Sequence, residues 1–429
     1  MPKKILIVTG SDYTDRVYEA FLQSKTLGHE LYLLSDGSFV PRAGIFEQHF
    51  TYDLRKTKEV LNFMQEQKLK FDAVTIKTSE WLTPLVALLA KQFGCLGNTP
   101  LTAFNCRSKY HMRQVLEKAQ VPIPKFQLCK NYQDLKQAID KIGIPCVAKP
   151  VGGNASYGTF IIRRPENLEN LEQLYQESIK YLQQKAITED VFAFSNEEMQ
   201  MIGIKEPVDM VTDYLVEEYM AGPEVSIDAL VQDGEVTIFG IEDQIRMAPP
   251  YVLQLAARLP YVCNEERQAE IYELVCHTIQ AMGIKNSATH TEIIFTPQGA
   301  KIVEIGCRIG GDDLHDTIYQ VTGYNLMFES IMIALGIRRT YKVSPKCHTM
   351  MQFIFPSKAG EIAEITIPQK VLHDPDIYEV SILAKVGELV GCPPQDFDYL
   401  GYIAAKGSTP AAAQAKIEEA LQKIKISIK

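Results

Sequence analysis

Short apolar runs alternate with amphipathic stretches over the first hundred residues of the chain. Residues 5–8, 30–34 and 73–76 are apolar and strand-like, whereas residues 15–27 and 83–93 carry apolar side chains at helical spacing. Strands that alternate with helices are typical of parallel β-α-β units. We therefore predict a small parallel α/β lobe at this end of the chain. Its first strand runs into TGSDYT, which lacks the G-x-G-x-x-G fingerprint, so the pattern does not favour a dinucleotide site there.

The pattern changes along the rest of the chain. Polar helical stretches follow a break rich in Gly, Pro and Asn, strands dominate from residue 214, and a mixed α+β region begins near residue 342. In the β-rich part, Asp233-Gly234 is a strong signal for a two-residue hairpin turn. Because 429 residues are too many for one ordinary hydrophobic core, we predict several domains. Their predicted boundaries are 1–104, 105–216, 217–341 and 342–429.

The composition is that of an ordinary globular protein, with 46% apolar and 23% charged residues. The formal net charge of −9 argues against a nucleic-acid partner, which normally requires a basic face. Nine cysteines without a Cys-x-x-Cys pair favour a reducing compartment over a disulfide framework or a zinc ribbon. No apolar run approaches membrane-spanning length, and the first one is too short for a signal peptide. We therefore expect a cytoplasmic protein without membrane or nucleic-acid partners.

The segment GAKIVEIGCRIGGDD, residues 299–313, begins as an apolar strand that contains a carboxylate, Glu304. A second apolar strand precedes it, and TPQG joins the two. A three-residue loop over 297–299 would place Gly299 in the left-handed conformation of a bulged hairpin. Glu292 would then lie directly opposite Glu304, whereas a four-residue loop would put the two glutamates on opposite faces.

Two carboxylates that face each other across a strand pair repel, and a divalent cation between them turns this repulsion into attraction. Carboxylate oxygens, completed by water and phosphate, are the ligands that Mg²⁺ prefers. Strand alternation sends His290 and Arg308 to the same face as Glu292 and Glu304. The hairpin taken alone leaves two interpretations open: a metal site, or one solvent-exposed glutamate paired by a coincidence of register.

A second segment, VAKPVGGNASYG, carries a lysine at the end of an apolar strand and then a glycine-rich loop. Lys149, the bare backbone N–H groups of the loop and the hydroxyl of Ser156 suit phosphate oxygens. The spacing is not a Walker A motif, because no G-K-[ST] opens a following helix. An ordinary turn is the competing interpretation of such a loop.

A third segment, YLVEEYMAGPEVSID, places Glu217 and Glu218 at the exit of an apolar strand, and Glu224 follows a Gly-Pro pair. Carboxylates and backbone groups at a strand-to-loop crossover suit the amino group of adenine and the hydroxyls of ribose. Each of these glutamates taken alone is better explained by an acidic, solvated edge.

In combination and order, these segments resemble the ATP-grasp superfamily of carboxylate–amine ligases, and the resemblance covers nearly the whole chain. Within it, HTE followed by VEIGCRIGGDD is similar to the H-x-E and E-[IV]-x-x-R-x-G-G signatures of the L-amino-acid ligases, which include dipeptide synthetases and carnosine-synthase-like enzymes. The resemblance implies an α/β protein with an ATP-grasp fold. A Rossmann-like parallel lobe (1–104) would precede two ATP-grasp subdomains (105–216 and 217–341) and a C-terminal α+β ligase domain (342–429).

The resemblance also implies roles for individual residues. ATP would be held at its phosphates by Lys109 and Lys149, under a loop with Gly153, Ser156 and Gly158, at its adenine by Glu217, Glu218 and Met220, and at its ribose by Glu224. Glu292 and Glu304 would hold Mg²⁺, with Mn²⁺ as the alternative ion. Arg308 would bind the reacting carboxylate and later the oxyanion, and the backbone N–H groups of Gly310 and Gly311 would add donors.

One departure from the subgroup concerns the amino-acid substrate. Many members carry P-P-[YF]-F-x-E-x-G-H-x-x-P, and here the segment reads PPYVLQLAARLP, with Gln254 and Ala257 in place of the glutamate and the histidine. Losing an acidic group there weakens the case for an ordinary α-amino group at that spot. We expect Gln254, Arg258, His290 and Arg308 to face the substrate.

The activity implied is the ATP-dependent joining of a small carboxylate to a small amine through an acyl phosphate, with release of ADP and phosphate. Homodimers are common among the relatives, so a homodimer is expected by analogy. Two alternatives compete: an ATP-grasp ligase of the purine or carboxylase type, and a nucleotide-binding regulator without turnover. The chain has no Met-Lys-Met biotin-acceptor segment, and a regulator has no chemical need for both lysines and both carboxylates.

Overall fold

The computed structural model describes residues 2–153, 158–188, 194–247, 253–311, 313–392 and 399–429. The N-terminal lobe consists of β1 (Lys4–Thr9), α1 (Asp15–Thr26), β2 (Glu30–Ser35), β3 (Gln48–Thr51), α2 (Thr57–Glu66), β4 (Ala73–Ile76) and α3 (Thr83–Phe93). Its four strands form a parallel sheet in the order β3-β2-β1-β4. Residues 5–8 of β1 are fully buried, as a parallel strand covered on both faces requires. The predicted parallel α/β lobe is confirmed.

The next part of the chain forms a four-stranded antiparallel sheet in contact with helices. Its elements are α4 (Pro100–Arg107), α5 (Lys109–Lys118), β5 (Phe126–Cys129), α6 (Tyr132–Ile142), β6 (Cys146–Pro150), β7 (Phe160–Ile162), α7 (Leu171–Thr188), α8 (Asn196–Ile202) and β8 (Tyr214–Glu218). The strand order is β5-β8-β6-β7. Lys149 lies in β6 and Glu217 in the neighbouring β8, so the sheet brings a lysine and a glutamate from distant segments together.

The remaining elements build one large sheet and one small sheet. They are β9 (Glu224–Gln232), β10 (Glu235–Arg246), β11 (Gln254–Leu259), α9 (Glu265–Met282), β12 (Asn286–Thr296), β13 (Gly299–Gly306), α10 (Leu314–Thr322), α11 (Leu326–Ala334), β14 (His348–Ile354), β15 (Gly360–Thr366), α12 (Gln369–Leu372), β16 (Ile377–Ile382), β17 (Leu389–Val390), β18 (Gly401–Gly407), α13 (Pro410–Leu421) and β19 (Lys425–Ile428). The large sheet has the order β13-β12-β9-β10-β11-β14-β18-β16, and the small one β17-β15-β19. Because β11 pairs with β14, the large sheet continues across residue 342.

One face of the large sheet is polar although it is buried. In β9, Val225 and Ile227 point into the apolar core, while Glu224, Ser226 and Asp228 alternate with them, and every residue of the strand is buried. The register places Ser226 between Glu242 of β10 and Glu292 of β12, with Glu304 of β13 beyond. We call this side of the sheet the polar face. Buried carboxylates need partners, and their partners define the site described next.

The turn between β9 and β10 and the length and polarity of the helices bear on two predictions made from the sequence. The turn between β9 and β10 is formed by Asp233 and Gly234, both with positive φ (54° and 85°), so the predicted two-residue hairpin is confirmed. No helix in the described part of the chain is long and apolar enough to cross a membrane.

Candidate active site

Glu292 and Glu304 face each other across β12 and β13, as predicted, but the hairpin differs from the one expected. Thr296 pairs with Gly299, so the loop has two residues rather than three, and Glu292 would then lie opposite residue 303. A bulge between the pair Ile293–Ile302 and the pair Glu292–Glu304 inserts one extra residue and restores the alignment. The two glutamates therefore meet because of the bulge and not because of the loop length.

The bulge is held by an arginine from a distant helix. Nη2 of Arg113, in α5, donates to the carbonyl oxygen of the extra residue, Val303, at 2.7 Å. The same guanidinium donates through Nε to Glu217 at 2.7 Å and is completely buried. Arg113 thus ties the β12–β13 hairpin to the sheet that carries Lys149.

The two facing glutamates have opposite electrostatic surroundings. Burial and the neighbouring charge of Glu304 raise the pKa of Glu292. Burial acts in the same direction on Glu304, but Lys109, Lys149 and Arg308 outweigh it and lower the pKa of that carboxyl well below its usual range. Nζ of Lys109 lies 3.3 Å from Glu304 Oε2. A carboxylate pair with an uncompensated charge on one side suits a divalent cation, so the residues present fit the expected magnesium site.

Lys149 belongs to a buried ion group. Its Nζ lies 2.6 Å from Oε2 of Glu217, and the other oxygen of Glu217 accepts from Arg113. Burial, together with the positive charges of Arg113 and Lys109, lowers the pKa of Lys149. Glu217 was expected at the adenine, but both of its oxygens are engaged by Lys149 and Arg113. In this structure it positions the lysine.

The glycine-rich loop is described only at its two ends. Nζ of Lys109 donates to the carbonyl oxygen of Gly153, so this lysine contacts both the loop and Glu304. Gly158 has a φ of 71°, and its carbonyl oxygen accepts from Ser178 at 2.9 Å. Ser156 lies outside the described residues.

The crossover after β8 is anchored by ion pairs. Glu218 binds Lys301 at 2.9 Å, and Glu224 accepts from Arg246. Burial lowers the pKa of Arg246, but the negative charges of Glu224, Glu292 and Glu304 outweigh this effect and raise it. Met220 lies in the same crossover and is half-buried. Of these side chains, Glu224 lies near the facing glutamates, and its negative charge contributes, after burial and Glu304, to the raised pKa of Glu292.

Arg308 is held by the N-terminal lobe. Its Nη2 donates to Glu80 at 2.7 Å, and Nη1 donates to the carbonyl oxygen of Ile309 at 3.0 Å. Nε is buried and has no hydrogen-bond partner among the described residues, so one donor of this guanidinium is unused. Asp313, five residues after Arg308, pairs with Lys77 at 3.1 Å.

Two protein-family models match this chain. A model of the ATP-grasp domain matches residues 142–316, and a model of the L-amino acid ligase C-terminal domain 2 matches residues 352–429. The chain is an ATP-grasp ligase. The resemblance seen in the sequence, including its closeness to the L-amino acid ligases, is confirmed.

Relatives of this ATP-grasp ligase support the same grouping. The L-arginine-specific L-amino acid ligase of Bacillus subtilis is 26% identical over 321 residues, which cover 75% of this chain and 71% of that protein. Carnosine synthase 1 of Gallus gallus is 23% identical over 78% of this chain, but the match covers only 35% of that protein. The crystal structure of an L-amino acid ligase from Bacillus licheniformis has the same fold, with a TM-score of 0.79, 20% identity, and coverage of 100% of this chain and 99% of that one.

The backbone N–H groups of Gly310 and Gly311 were both expected to bind a reacting oxygen, and the structure differs from this expectation at Gly310. The N–H of Gly310 donates to Asp228 at 2.9 Å, so it is not free to bind a reacting oxygen. Nδ1 of His290 lies 3.1 Å from the same carboxylate, which raises the pKa of this buried histidine to about 9 although burial opposes it. His290 therefore lies on the polar face beside Glu292, as expected from strand alternation. Gly311 lies next to open space.

Replacing Gly310 by alanine is expected to lower the free energy of unfolding by about 1–3 kcal/mol, because the added methyl group overpacks the site. It would lie 2.9 Å from His290 Nδ1 and 3.0 Å from Asp228 Oδ2. Gly311→Ala is the matched control, since nothing lies within 4 Å of its added carbon. Urea denaturation of both variants checks this prediction, and equal midpoints would contradict it.

Two of the residues expected at the substrate lie elsewhere or at the margin. Arg258 pairs in register with Asp243, and its guanidinium binds that carboxylate. Asp243 is opposite Val225, so both side chains point away from the polar face, and the structure does not bring Arg258 to the face on which it was expected. Gln254 lies opposite Arg246, at the end of the sheet that carries Glu224.

Sequence reasoning missed four side chains that complete the site. Arg113 follows Lys109 by four residues, which places the two on one face of α5, and this spacing was a usable signal. Asp228 and Arg246 are polar positions in buried strands, the same signal that singled out Glu304. Glu80 had no local signal, since its partner Arg308 is 228 residues away.

Proposed function

We propose that this ligase activates a carboxylate with ATP and joins it to an amine, with an amino acid as one of the two substrates. The observation that carries the proposal is the facing pair of Glu292 and Glu304, with Lys109 at one of them and Arg308 beside it. Phosphoryl transfer needs positioned cations more than covalent help from the protein, and this arrangement supplies them.

The chain's own residues would divide the work as follows. Lys109 and Lys149 would bind the phosphate oxygens of ATP, and Glu217 and Arg113 would keep Lys149 in place. Magnesium held by Glu292 and Glu304 would offset the charge on the phosphates. The free Nε donor of Arg308 would orient the carboxylate that attacks the terminal phosphate.

In the second half of the reaction, an amine would displace phosphate from the acyl phosphate. The carbon–nitrogen bond forms as the carbon–oxygen bond to phosphate breaks, and the nitrogen loses a proton. Arg308, fixed by Glu80, would stabilise the negative oxygen that develops on the acyl carbon. Water must be excluded throughout, because it would hydrolyse the acyl phosphate.

The choice of an amino acid as substrate rests on the similarity of residues 352–429 to the L-amino acid ligase C-terminal domain. That match favours the amino-acid ligases over the purine and carboxylase types. Gln254 and Ala257 separate this chain from the usual subgroup pattern, so its amino-acid specificity is expected to differ from that of typical members.

A hydroxylamine trap tests the proposal directly. The protein is incubated with ATP, Mg²⁺ and a panel of carboxylic acids including the common amino acids, and both ADP release and hydroxamate formation are measured. We expect ADP and hydroxamate in equal amounts with at least one acid, because hydroxylamine captures an acyl phosphate. Production of AMP and pyrophosphate, or bound ATP without any product across the panel, would overturn the proposal.

A further inference from the structure

A second group of charged side chains lies where α10 meets the N-terminal lobe and the large sheet. Asp313 and Asp316 come from the start of α10, and Glu379 comes from β16. We call these three residues the acidic cluster. They are separate in sequence and in bonding from the glutamates proposed for magnesium.

The cluster holds more negative than positive charge. Nζ of Lys77 lies 3.1 Å from Asp313, and Nε of Arg16 lies 3.0 Å from Asp316. The side chain of Glu379 has no hydrogen bond or ion pair with any residue in the described ranges. Three carboxylates thus share two cations, and Arg16 also binds a further acid, Glu19. With all three acids ionised, at least one negative charge would be uncompensated.

Two of the three acids have raised pKa values. Burial, followed by repulsion from Asp316 and Asp313, raises the pKa of Glu379 to about 7. Burial also raises the pKa of Asp316 to about 6, although Arg16 opposes the change. A group that brought one positive charge into the cluster would remove this penalty.

A buried histidine points independently to a ligand. His315 is 1% exposed, and its Nε2 lies 3.2 Å from the hydroxyl of Thr14. Its Nδ1 is buried without a hydrogen-bond partner among the described residues and lies 3.9 Å from Asp313 Oδ1. Burial lowers the pKa of His315 well below its ordinary value, so the ring is neutral. With the proton on Nε2, Nδ1 presents a free lone pair to the cluster.

The three carboxylates and Nδ1 of His315 are acceptors, and Tyr402 already donates to Asp313, so a ligand of these groups must be a donor. An ammonium group carries three N–H donors and one positive charge, which matches the single excess charge. A divalent cation would bring a second charge close to Lys77 and Arg16 and be repelled. The side chains of Asp313 and Asp316 retain 23% and 15% exposure, so a ligand reaches them from solvent.

We propose that the acidic cluster and His315 bind the ammonium group of the amine substrate. The inference rests on the proposed ligase function and adds where the amine is recognised and in which charge state. Asp313 begins α10 directly after the segment that follows Arg308, and its backbone is in the left-handed region with φ 54°. Such strain in a non-glycine residue is common at ligand sites.

The test compares a charged and an uncharged nucleophile in Glu379→Gln. With the amino acid that reacts fastest in the unaltered protein as amine, we expect its apparent KM to rise at least tenfold, which corresponds to about 1.4 kcal/mol. The KM for ATP and the rate of hydroxamate formation should stay unchanged, because hydroxylamine is uncharged at neutral pH. Glu364→Gln, an exposed acid paired with Lys425 in the same part of the chain, is the matched control.

The outcomes separate the two proposals. Without any hydroxamate in the unaltered protein, the ligase function fails. Normal hydroxamate formation together with an unchanged amine KM in Glu379→Gln would overturn the ammonium site alone. Asp316→Asn is the second variant should Glu379→Gln not fold, with the same expected rise in KM. Isothermal titration calorimetry with the same amino acid gives an amine-binding curve independent of turnover, and equal curves for both variants and the unaltered protein would also overturn the site.

Discussion

Glu304→Gln is expected to reduce kcat/KM for ADP release about 10³-fold or more, which corresponds to roughly 4 kcal/mol of transition-state stabilisation. The amide keeps the shape of the side chain but removes the charge that pairs with Lys109 at 3.3 Å. It also removes one of the two carboxylates proposed for magnesium, and Lys109 and Lys149 lose the charge that they share. The Mg²⁺ concentration that gives half-maximal rate should therefore rise as the rate falls.

A matched variant controls for the loss of any acid from the large sheet. Glu235, in β10, is exposed and binds Arg338, and Glu235→Gln is expected to behave like the unaltered protein. Steady-state ADP release over a range of Mg²⁺ concentrations measures both variants, and circular dichroism reports the fold. A folded Glu304→Gln protein with activity within tenfold of the unaltered protein would exclude Glu304 from the metal site.

Local sequence signals predicted those parts of the fold that depend on neighbouring residues. The apolar runs of the N-terminal lobe became parallel strands, and Asp233-Gly234 formed the expected turn, because such turns require positive φ at both positions. The pairing of Glu292 with Glu304 was also predicted, but from an incorrect loop. A two-residue loop and a bulge together give the same alignment as the expected three-residue loop.

The remaining features depend on contacts between distant segments. The bulge at Val303 is stabilised by Arg113, 190 residues earlier, and nothing near Val303 in the sequence signals it. Arg258 was placed at the substrate from its position in a motif, whereas the register with Asp243 turns it to the other face. Position in a motif indicates which strand a residue occupies, but only the register of neighbouring strands determines its face.

The polar face shows why the site needs so many buried charges. Glu292, Glu304, Glu224 and Asp228 stand on neighbouring strands, and their partners Lys109, Arg246 and His290 come from other elements. Each carboxylate without its partner would carry the cost of desolvation alone. The ion pairs that stabilise this region are therefore the same ones that position the proposed metal site.

Arg113→Ala is expected to lower the free energy of unfolding by about 3–5 kcal/mol, the usual cost of breaking a buried ion pair by removing one partner. Glu217 would keep Lys149 but lose its contact at 2.7 Å, and the carbonyl oxygen of Val303 would lose its donor. The second loss should loosen the bulge that aligns Glu292 with Glu304, so the KM for Mg-ATP should also rise. Arg113→Lys keeps the charge without the forked geometry. Its stability and its KM for Mg-ATP should lie between those of Arg113→Ala and the unaltered protein.

Urea denaturation and ADP kinetics measure the two effects of Arg113→Ala together. Arg338→Ala is the control, because this arginine is exposed and binds Glu235 on the surface, where such pairs contribute little. If Arg113 both stabilises the fold and aligns the two glutamates, its removal must change both the free energy of unfolding and the KM for Mg-ATP. If stability falls while the KM for Mg-ATP stays constant, Arg113 supports the fold but does not align the glutamates, and the hairpin bulge must be held by its own strands.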